Sequence, residues 1–202
     1  MKVRVEGRSF GSLPVLGPVA FDVAEGDVLA ITGPSGVGKS TLLRIVAGLD
    51  AEASATVEGA GRIAVVFQEP TLMPWRTAIS NVSIPTRCGG KDAQRWLSKV
   101  GLGDRAMHFP RQLSLGQQRR VALARAFAHA PATLLLDEPF ASLDEAAAGT
   151  MRRVLRDLLD GQPTRTILVT HDARDVAALA DRVVRLEGSP ATLSEAAVSP
   201  RG

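Results

Sequence analysis

Five short apolar runs predict the buried strands of a sheet. They cover residues 28–32, 63–67, 134–136, 166–169 and 183–186. Several carry apolar side chains at consecutive positions, which is typical of parallel strands buried on both faces. Helical patterns lie between them, at about residues 39–48, 145–160 and 173–180. This alternation of strand and helix predicts an α/β fold with a mostly parallel sheet.

The segment from about residue 70 to 130 interrupts that alternation with helices. Apolar side chains recur there at helical spacing, at Ala93, Trp96, Leu97 and Val100. A second helix is predicted to begin after Ser114, which has the spacing of a capping box with Gln117. We therefore predict a single domain over residues 1–202 with an inserted helical subdomain. Its two parts are a core, at residues 1–69 and 131–202, and the insertion, at residues 70–130.

Composition and charge narrow the classes of function. A chain of 202 residues that is 45% hydrophobic can bury a sizeable core. Val3 and Val5 alternate with charged residues, which predicts a strand and not a signal peptide, and no apolar run reaches the roughly 18 residues of a membrane span. The net charge of +3 predicts an ordinary basic surface and no nucleic-acid partner. The single cysteine, Cys88, is expected to be a loop thiol in a reducing compartment.

The stretch GPSGVGKST at residues 33–41 is the first with specific chemistry. Gly33 and Gly38 frame four residues before Lys39, which is the spacing of a phosphate-binding loop. Glycines let successive backbone N–H groups point inward as an anion nest at a helix start. Lys39 is expected to reach the β- and γ-phosphates of a nucleotide, and the Ser40 hydroxyl to bind Mg²⁺. The residues predicted to surround the nucleotide are Gly33, Pro34, Ser35, Gly36, Val37, Gly38, Lys39, Ser40 and Thr41.

Two carboxylates follow the apolar run at residues 134–136. Asp137 and Glu138 are thus predicted at the carboxyl end of a strand, where ligands bind in open α/β sheets. Asp137 is suited to bind Mg²⁺, directly or through water, and Glu138 is suited to polarise an attacking water. The alternative is that two carboxylates after a strand simply face solvent. His171 ends another apolar run. It is predicted to reach the γ-phosphate, although a lone histidine at such a place is more often structural.

Together these motifs resemble the nucleotide-binding subunits of ATP-binding-cassette (ABC) transporters, in that family's order over about residues 1–187. The phosphate-binding loop resembles the family's Walker A motif, and residues 134–138 resemble Walker B. LSLGQ at residues 113–117 resembles the signature loop, and SLD at residues 142–144 resembles the D-loop. Two single residues complete the set, the Q-loop glutamine Gln68 and the switch histidine His171.

The resemblance implies an ATPase that works as a pair, with ATP as substrate and Mg²⁺ as cofactor. In the family, two subunits close head to tail, so that each ATP lies between the Walker A loop of one copy and the signature loop of the other. Glu138 is implied to be the general base, with Lys39 and His171 at the phosphates. Gln68 is implied to contact both Mg²⁺ and the attacking water. The residues implied to act across the interface are Ser114, Leu115, Gly116 and Gln117 of the signature loop and Ser142, Leu143 and Asp144 of the D-loop.

The chain departs from the family pattern in three places. Leu115 replaces a glycine of the usual LSGGQ signature, while Ser114 and Gly116 remain. Phe10 stands at the place where the family stacks an aromatic residue on adenine, and the chain has no tyrosine. The alternative for Phe10 is an ordinary core residue. Finally, only residues 50–63 separate the Walker A helix from the next core strand, which implies short antiparallel strands in the first subdomain.

QEPTLMPW at residues 68–75 resembles the branch of nitrate, sulfonate and taurine importers. That branch implies import of a small solute through a membrane permease, supplied by a periplasmic binding protein, with this subunit in the cytoplasm on the inner face of the membrane. In the family this segment lines the cleft that receives a permease helix. Leu72, Met73 and Trp75 are therefore candidate docking residues. The alternative is that Trp75 packs beneath the inserted helices.

Two other classes of function are less favoured. A soluble, non-transport ABC-type ATPase acting on ribosomes or DNA usually carries a second cassette or a long coiled-coil insertion, and this sequence shows neither. A nucleotide-binding scaffold without hydrolysis is expected to lose Glu138 or His171, and both are present. ATP-driven transport is therefore the expected function.

Overall fold

The computed structural model describes residues 1–195, which divide into two compact units. The first unit contains residues 1–65, residues 132–138 and the described residues from 163 onward. The second unit contains residues 66–131 and 139–162. The Walker A and Walker B residues therefore lie in the first unit, whereas Gln68, the signature loop and the D-loop lie in the second.

A mixed β-sheet is the framework of the first unit. Its strands are β1 (Lys2–Phe10), β2 (Leu13–Leu16), β3 (Val19–Asp22), β4 (Val28–Thr32), β5 (Ser54–Glu58), β6 (Ile63–Val66), β7 (Thr133–Asp137), β8 (Arg165–Val169), β9 (Arg182–Gly188) and β10 (Ala191–Glu195). They lie in the order β3-β1-β2-β10-β9-β4-β8-β7-β6, and β5 pairs with β1. Residue 66, the last of β6, already belongs to the second unit.

The centre of this sheet is parallel and buried. β4 pairs in parallel with both β8 and β9, and β7 pairs in parallel with β8. Every residue of β7 is buried, as are the first four of β4. Two helices, α1 (Lys39–Val46) and α6 (Ala173–Leu179), belong to the same unit, and the apolar face of α1 joins the sheet core. The strands predicted from the five apolar runs and the predicted α/β class are thus confirmed.

The antiparallel part of the sheet is built around β1. This strand pairs with β3 and β5 along its first half and with β2 along its last residues. β2, β3 and β5 have four or five residues, as expected, but β1 has nine. The expectation of short strands is therefore wrong for β1, because β1 must reach three different partners. β10, which pairs back on β9, was not predicted because Ala191 and Leu193 are its only apolar side chains.

The second unit is helical. Its helices are α2 (Ala78–Thr86), α3 (Gly90–Lys99), α4 (Leu115–Ala128) and α5 (Glu145–Asp160). The predicted apolar face of α3 is buried at Ala93 and Leu97, and the Trp96 ring lies 6.2 Å from that of Phe127 in α4. α2 was not predicted, because its polar residues and Pro85 obscure the helical period.

Candidate nucleotide-binding and catalytic site

The phosphate-binding loop runs from the end of β4 to the start of α1 and depends on glycine. Gly36 and Gly38 have φ angles of +77° and +111°, in the left-handed region that favours glycine. A Cβ added at Gly33 would overlap the backbone carbonyl oxygen of Leu186 in β9. The N-cap of α1 is Gly38, which has no side chain to accept a hydrogen bond, so the first N–H groups of the helix are left for another acceptor. The loop thus has the backbone that an anion nest requires.

The Lys39 side chain lies against this loop. It is only 5% exposed, and Nζ donates to the carbonyl oxygens of Gly33 and Pro34 at 2.9 and 2.8 Å. Nζ also lies 3.9 Å from Oε1 of Glu138. The ammonium group is therefore held mainly by neutral acceptors. Anionic phosphate oxygens can replace these acceptors with stronger, charge-assisted hydrogen bonds.

Ser40 and Asp137 bring two oxygen atoms together next to the loop. The Ser40 hydroxyl donates to Oδ1 of Asp137 at 2.9 Å. Asp137 is 7% exposed; burial raises the pKa of its carboxyl, and the hydrogen bond from Ser40 acts in the opposite direction. A buried carboxylate is stabilised by a nearby cation, and hard oxygen ligands are those that Mg²⁺ prefers. The pair therefore fits Mg²⁺. Residues 1–195 contain no group of three or more His, Cys, Asp or Glu side chains that could hold a metal by themselves.

Glu138 lies between a lysine and a histidine. Its Oε1 faces Lys39, and its Oε2 lies 3.1 Å from Nδ1 of His171. Its backbone N–H donates to the carbonyl oxygen of Val169 at 2.9 Å, and its φ angle is +45°. A residue other than glycine in this region carries strain of roughly 1–3 kcal/mol and persists where its surroundings enforce it, often at functional sites. The His171 side chain is exposed, so a ligand can reach it.

Phe10, the last residue of β1, is 51% exposed, so the alternative of a core residue is wrong. The guanidinium carbon of Arg8 lies 4.3 Å from the centroid of its ring. Arg8 in turn forms ion pairs with Asp50 and Glu52 at 2.8 and 2.9 Å. A pocket of about 350 Å³ is lined by Phe10 together with Thr41 of α1. An anchored cation therefore lies over one face of the ring, and the ring stays accessible beside the start of α1.

The signature loop begins α4 in the second unit. Oγ of Ser114 accepts the N–H of Gln117 at 3.3 Å, and Oε1 of Gln117 accepts the N–H of Ser114 at 2.9 Å. This reciprocal pair confirms the predicted capping box. Leu115 is exposed, and a Cβ at Gly116 would make only ordinary contacts. Leu115, which stands in place of the family's glycine, therefore leaves the capped N-terminus of the helix intact.

The D-loop and Gln68 lie in the same unit as the signature loop. Asp144 is the N-cap of α5 and accepts a backbone N–H of the first turn at 2.8 Å. Ser142 has a φ angle of +61°. The carbonyl oxygen of Gln68 accepts a hydrogen bond from Nη2 of Arg119 at 3.1 Å. One pocket of about 290 Å³ is lined by residues of all three loops, among them Gln68, Leu115, Arg119 and Ser142. Within the second unit, the structure thus brings these three predicted motifs together.

Trp75 is 71% exposed, so the alternative that it packs beneath the helices is wrong. Leu72 and Met73 are half-buried. The loop that carries them is fixed by Asn81, which is completely buried in α2. Oδ1 of Asn81 accepts the N–H of Met73 at 2.7 Å. Its Nδ2 lies 3.1 Å from three carbonyl oxygens, those of Met73, Arg76 and Thr77.

Sequence reasoning missed two buried polar residues of the second unit. Arg119 precedes the buried Leu123 and Phe127 by four and eight residues, so it lies on the buried face of α4. This spacing could have predicted from the sequence that Arg119 is buried. Asn81 is the only asparagine in the chain and precedes the buried Val82, but no pattern of the sequence indicates its partners.

The first unit combines a buried parallel strand, a glycine-rich phosphate loop and a helix with a lysine, two carboxylates and a histidine at the strand ends. Two sets of contacts lie there side by side. Glu138 contacts Lys39 and His171, and the neighbouring Asp137 accepts the hydrogen bond from Ser40. Fold and site together define a P-loop ATPase. Within the described part of the chain, no helix combines the length and the apolar character that a membrane crossing requires.

Comparison with known proteins assigns the chain to a family. The ABC transporter family model matches residues 16–141. The aliphatic sulfonates import ATP-binding protein SsuB of Mycobacterium sp. (strain MCS) is 44% identical over 198 residues, which cover 95% of this chain and 81% of that protein. The aliphatic sulfonates import ATP-binding protein SsuB 2 of Frankia alni is 45% identical over 186 residues, which cover 91% of this chain and 76% of that protein. The chain belongs to the ABC transporter family.

Solved structures agree with this assignment. The dimeric structure of a post-hydrolysis state of the ATP-binding cassette MJ0796, bound to ADP and Pi, has a TM-score of 0.81 at 28% identity and covers 96% of this chain and 98% of that one. A dimeric structure of MJ0796, a bacterial ABC transporter cassette, has a TM-score of 0.79 at 30% identity and covers 92% of this chain and 94% of that one. The predicted ABC ATPase fold is confirmed, and the chain is an ATPase of this family.

Proposed function

We propose that the chain is the ATP-hydrolysing subunit of an importer for aliphatic sulfonates or similar small solutes such as nitrate or taurine. The observation that carries the ATPase part is the set of contacts around Glu138, which joins Lys39 and His171 beside Ser40 and Asp137. The transport part is supported by relatives that are sulfonate import proteins and that match 91% or more of this chain.

In this proposal the phosphates of ATP bind to the phosphate-binding loop. Lys39 exchanges its two carbonyl partners for phosphate oxygens, and the uncapped start of α1 adds backbone donors. Ser40 and Asp137 hold Mg²⁺, with Gln68 as the further ligand that the family resemblance implies. Bound Mg²⁺ supplies charge neutralisation of the phosphates. The exposed ring of Phe10 stacks on adenine.

Glu138 is the proposed general base. Its carboxylate accepts a proton from water as the water oxygen attacks the γ-phosphorus. The bond between that phosphorus and the β–γ bridging oxygen breaks, which releases ADP and phosphate. Lys39 lies near one carboxylate oxygen of Glu138 and His171 near the other, so together they hold the carboxylate in one orientation. Positioning and charge stabilisation of this kind supply most of the rate of phosphoryl transfer.

A second copy of the chain, related head to tail, completes the proposed site. The capped N-terminus of α4, with Ser114 and Gly116, faces the γ-phosphate bound to the other copy. Gln117 and the D-loop residue Asp144 contact the partner copy in this arrangement. Closure and release of the dimer deliver the force to the permease.

The segment at residues 72–75 is the proposed docking site for the permease, on the inner face of the membrane. Its anchors are Leu72, Met73 and the highly exposed Trp75. A periplasmic binding protein would deliver the solute to the permease from the other side. In this arrangement the chain itself does not contact the transported solute.

The test of this proposal is uptake by the assembled transporter. The double substitution Met73→Asp with Trp75→Asp is expected to abolish co-purification with the permease and uptake of an aliphatic sulfonate, while thermal unfolding shifts by less than about 2 °C, as for other surface changes. Ile84→Asp is the matched control, because Ile84 is an exposed apolar residue of the same unit. Full uptake by the double variant would rule out the docking role. Uptake of neither sulfonate, nitrate nor taurine by the wild-type transporter would overturn the substrate class.

A further inference from the structure

Arg119 is a buried cation that holds two separate loops. The residue lies in α4 and is only 3% exposed. Nη1 donates to the carbonyl oxygen of Ala141, and Nη2 donates to the carbonyl oxygen of Gln68 at 3.1 Å. Nε has no hydrogen-bond partner. Among residues 1–195, no carboxylate lies within ion-pair distance of this guanidinium.

This arrangement is poorly suited to a purely structural role. Burial lowers the pKa of Arg119, since the charged form loses its hydration without gaining a counterion. Apolar residues of similar volume commonly replace buried ionic groups with no loss of stability. What a guanidinium offers, and an apolar side chain does not, is a rigid fork that can hold two acceptors at a fixed separation.

The two acceptors belong to segments with proposed functions. Gln68 is proposed to bind Mg²⁺ and to contact the attacking water. Ala141 immediately precedes the D-loop, which starts at Ser142 with a left-handed backbone. The helix that carries Arg119 is the one that begins at Ser114, the proposed contact with the partner's ATP.

A second arginine of α4 holds the same segment as Gln68. Nη1 of Arg125 donates to the carbonyl oxygen of Thr71 at 2.9 Å, and its Nη2 donates to the carbonyl oxygen of Pro70 at 3.1 Å. Thr71 has a φ angle of +47°, so its backbone is also held in a strained conformation. The segment after Gln68 is therefore attached to α4 at two points.

We propose that Arg119 is a positioning residue, which fixes Gln68 and the D-loop to the signature helix so that all three move as one body. The inference rests on the proposed role of Gln68 in hydrolysis. It means that contact of the α4 N-terminus with the partner's nucleotide is transmitted directly to Gln68 by Arg119. Arg119 itself touches neither substrate nor the reacting atoms.

A double-mutant cycle tests this. Arg119→Met keeps the packing volume but removes both hydrogen bonds. We expect it to lower kcat for ATP hydrolysis by about 10-fold with KM for ATP changed by less than about 2-fold, because the chemical step and not binding is affected. In a Gln68→Ala background the same substitution is expected to change kcat by less than about 3-fold, because the part of its effect that acts through Gln68 is already lost and only the part through the D-loop remains. Arg119→Lys, with one donor group in place of the fork, should recover kcat only partly.

Arg120→Met is the matched control. Arg120 is the next residue of α4, and its Nη1 donates to the carbonyl oxygen of Val100 at 3.0 Å, away from both loops. Its effect on kcat, whatever its size, should be the same with and without Gln68. An effect of Arg119→Met that is equally large in the two backgrounds would overturn the proposal.

Amide hydrogen exchange separates failure of this inference from failure of the proposed role of Gln68. An unchanged kcat in Gln68→Ala alone would refute that role. Arg119→Met is still expected to raise exchange at residues 68–69 and 142–144 by about 10-fold, because the backbone at Gln68 and Ala141 loses its anchor to α4, whereas Arg125 still holds residues 70–71. Unchanged exchange in either segment, or an equal rise in Arg120→Met, would overturn the positioning role itself.

Discussion

Replacement of Asn81 is expected to destabilise the second unit and to free the loop that carries Trp75. The side chain is completely buried and makes four hydrogen bonds to the backbone of that loop. In Asn81→Ala, the carbonyl oxygens of Met73 and Thr77 keep other donors, the N–H groups of Arg76 and of residue 81 itself. The N–H of Met73 and the carbonyl oxygen of Arg76 lose the partner they had.

The loss of stability in Asn81→Ala can be estimated from these two lost hydrogen bonds. Two lost pairs contribute about 1 kcal/mol each, and a poorly solvated N–H without a partner costs about 1–3 kcal/mol, so the free energy of unfolding should fall by about 3–5 kcal/mol. For a chain of this length the corresponding drop in Tm is about 6–20 °C. Asn81→Asp is expected to be at least as harmful at neutral pH, because a carboxylate there would face three carbonyl oxygens without a donor.

Scanning calorimetry measures the loss of stability, and tryptophan fluorescence measures the loop. In a Trp96→Phe background, Trp75 is the only tryptophan of the chain. Its anisotropy should then fall in Asn81→Ala as the loop gains freedom. Ser83→Ala, in the same helix, is the control and should alter neither Tm nor anisotropy. A loss below about 0.5 kcal/mol in Asn81→Ala, within the range of ordinary surface substitutions, would show that Asn81 does not anchor this loop.

Three further predictions concern the site itself. Because burial raises the pKa of Asp137, its charge opposes folding at neutral pH, and this effect fades as the pH falls toward about 4. Asp137→Asn should therefore raise Tm at pH 7, raise it less at lower pH and abolish Mg²⁺-dependent turnover. The control Asp157→Asn, at an exposed position, should change neither Tm nor turnover. Gly33→Ala should lower Tm and abolish ATP binding measured by calorimetry, because its Cβ meets the carbonyl oxygen of Leu186; wild-type affinity would contradict this. Ser114→Asp should keep Tm within about 2 °C, because aspartate is also a good N-cap, yet prevent ATP-dependent dimerisation seen by light scattering, because its charge repels the γ-phosphate; a normal dimer would contradict the role of the signature loop.

The parts of the fold that the sequence predicts well are those with a strong local signal. The buried strands carry consecutive apolar residues, and the loop at residues 33–41 carries a spacing that few other structures require. The capping box of Ser114 is likewise a local pattern that the structure confirms. α2 and β10 escape prediction because their polar and apolar residues follow no clean period, so tertiary contacts decide their structure.

The buried polar residues could not be predicted in the same way. The partners of Arg119 lie 22 and 51 residues away along the chain, and all of them are backbone carbonyl groups that every residue possesses. No residue type marks such an acceptor in advance. The exposure of Phe10 and Trp75 was also open from sequence alone, since an aromatic residue suits a core and a contact surface equally well.

The roles of Lys39 and Glu138 in hydrolysis are tested most directly by ATP turnover of the purified subunit with Mg²⁺, in the wild type and in two variants. Lys39→Ala is expected to abolish turnover. Glu138→Gln is expected to slow it by about 10²–10⁴-fold, as for loss of a general base, and to accumulate an ATP-bound dimer. Unchanged turnover in Glu138→Gln would contradict the assignment of the base and with it the proposed mechanism.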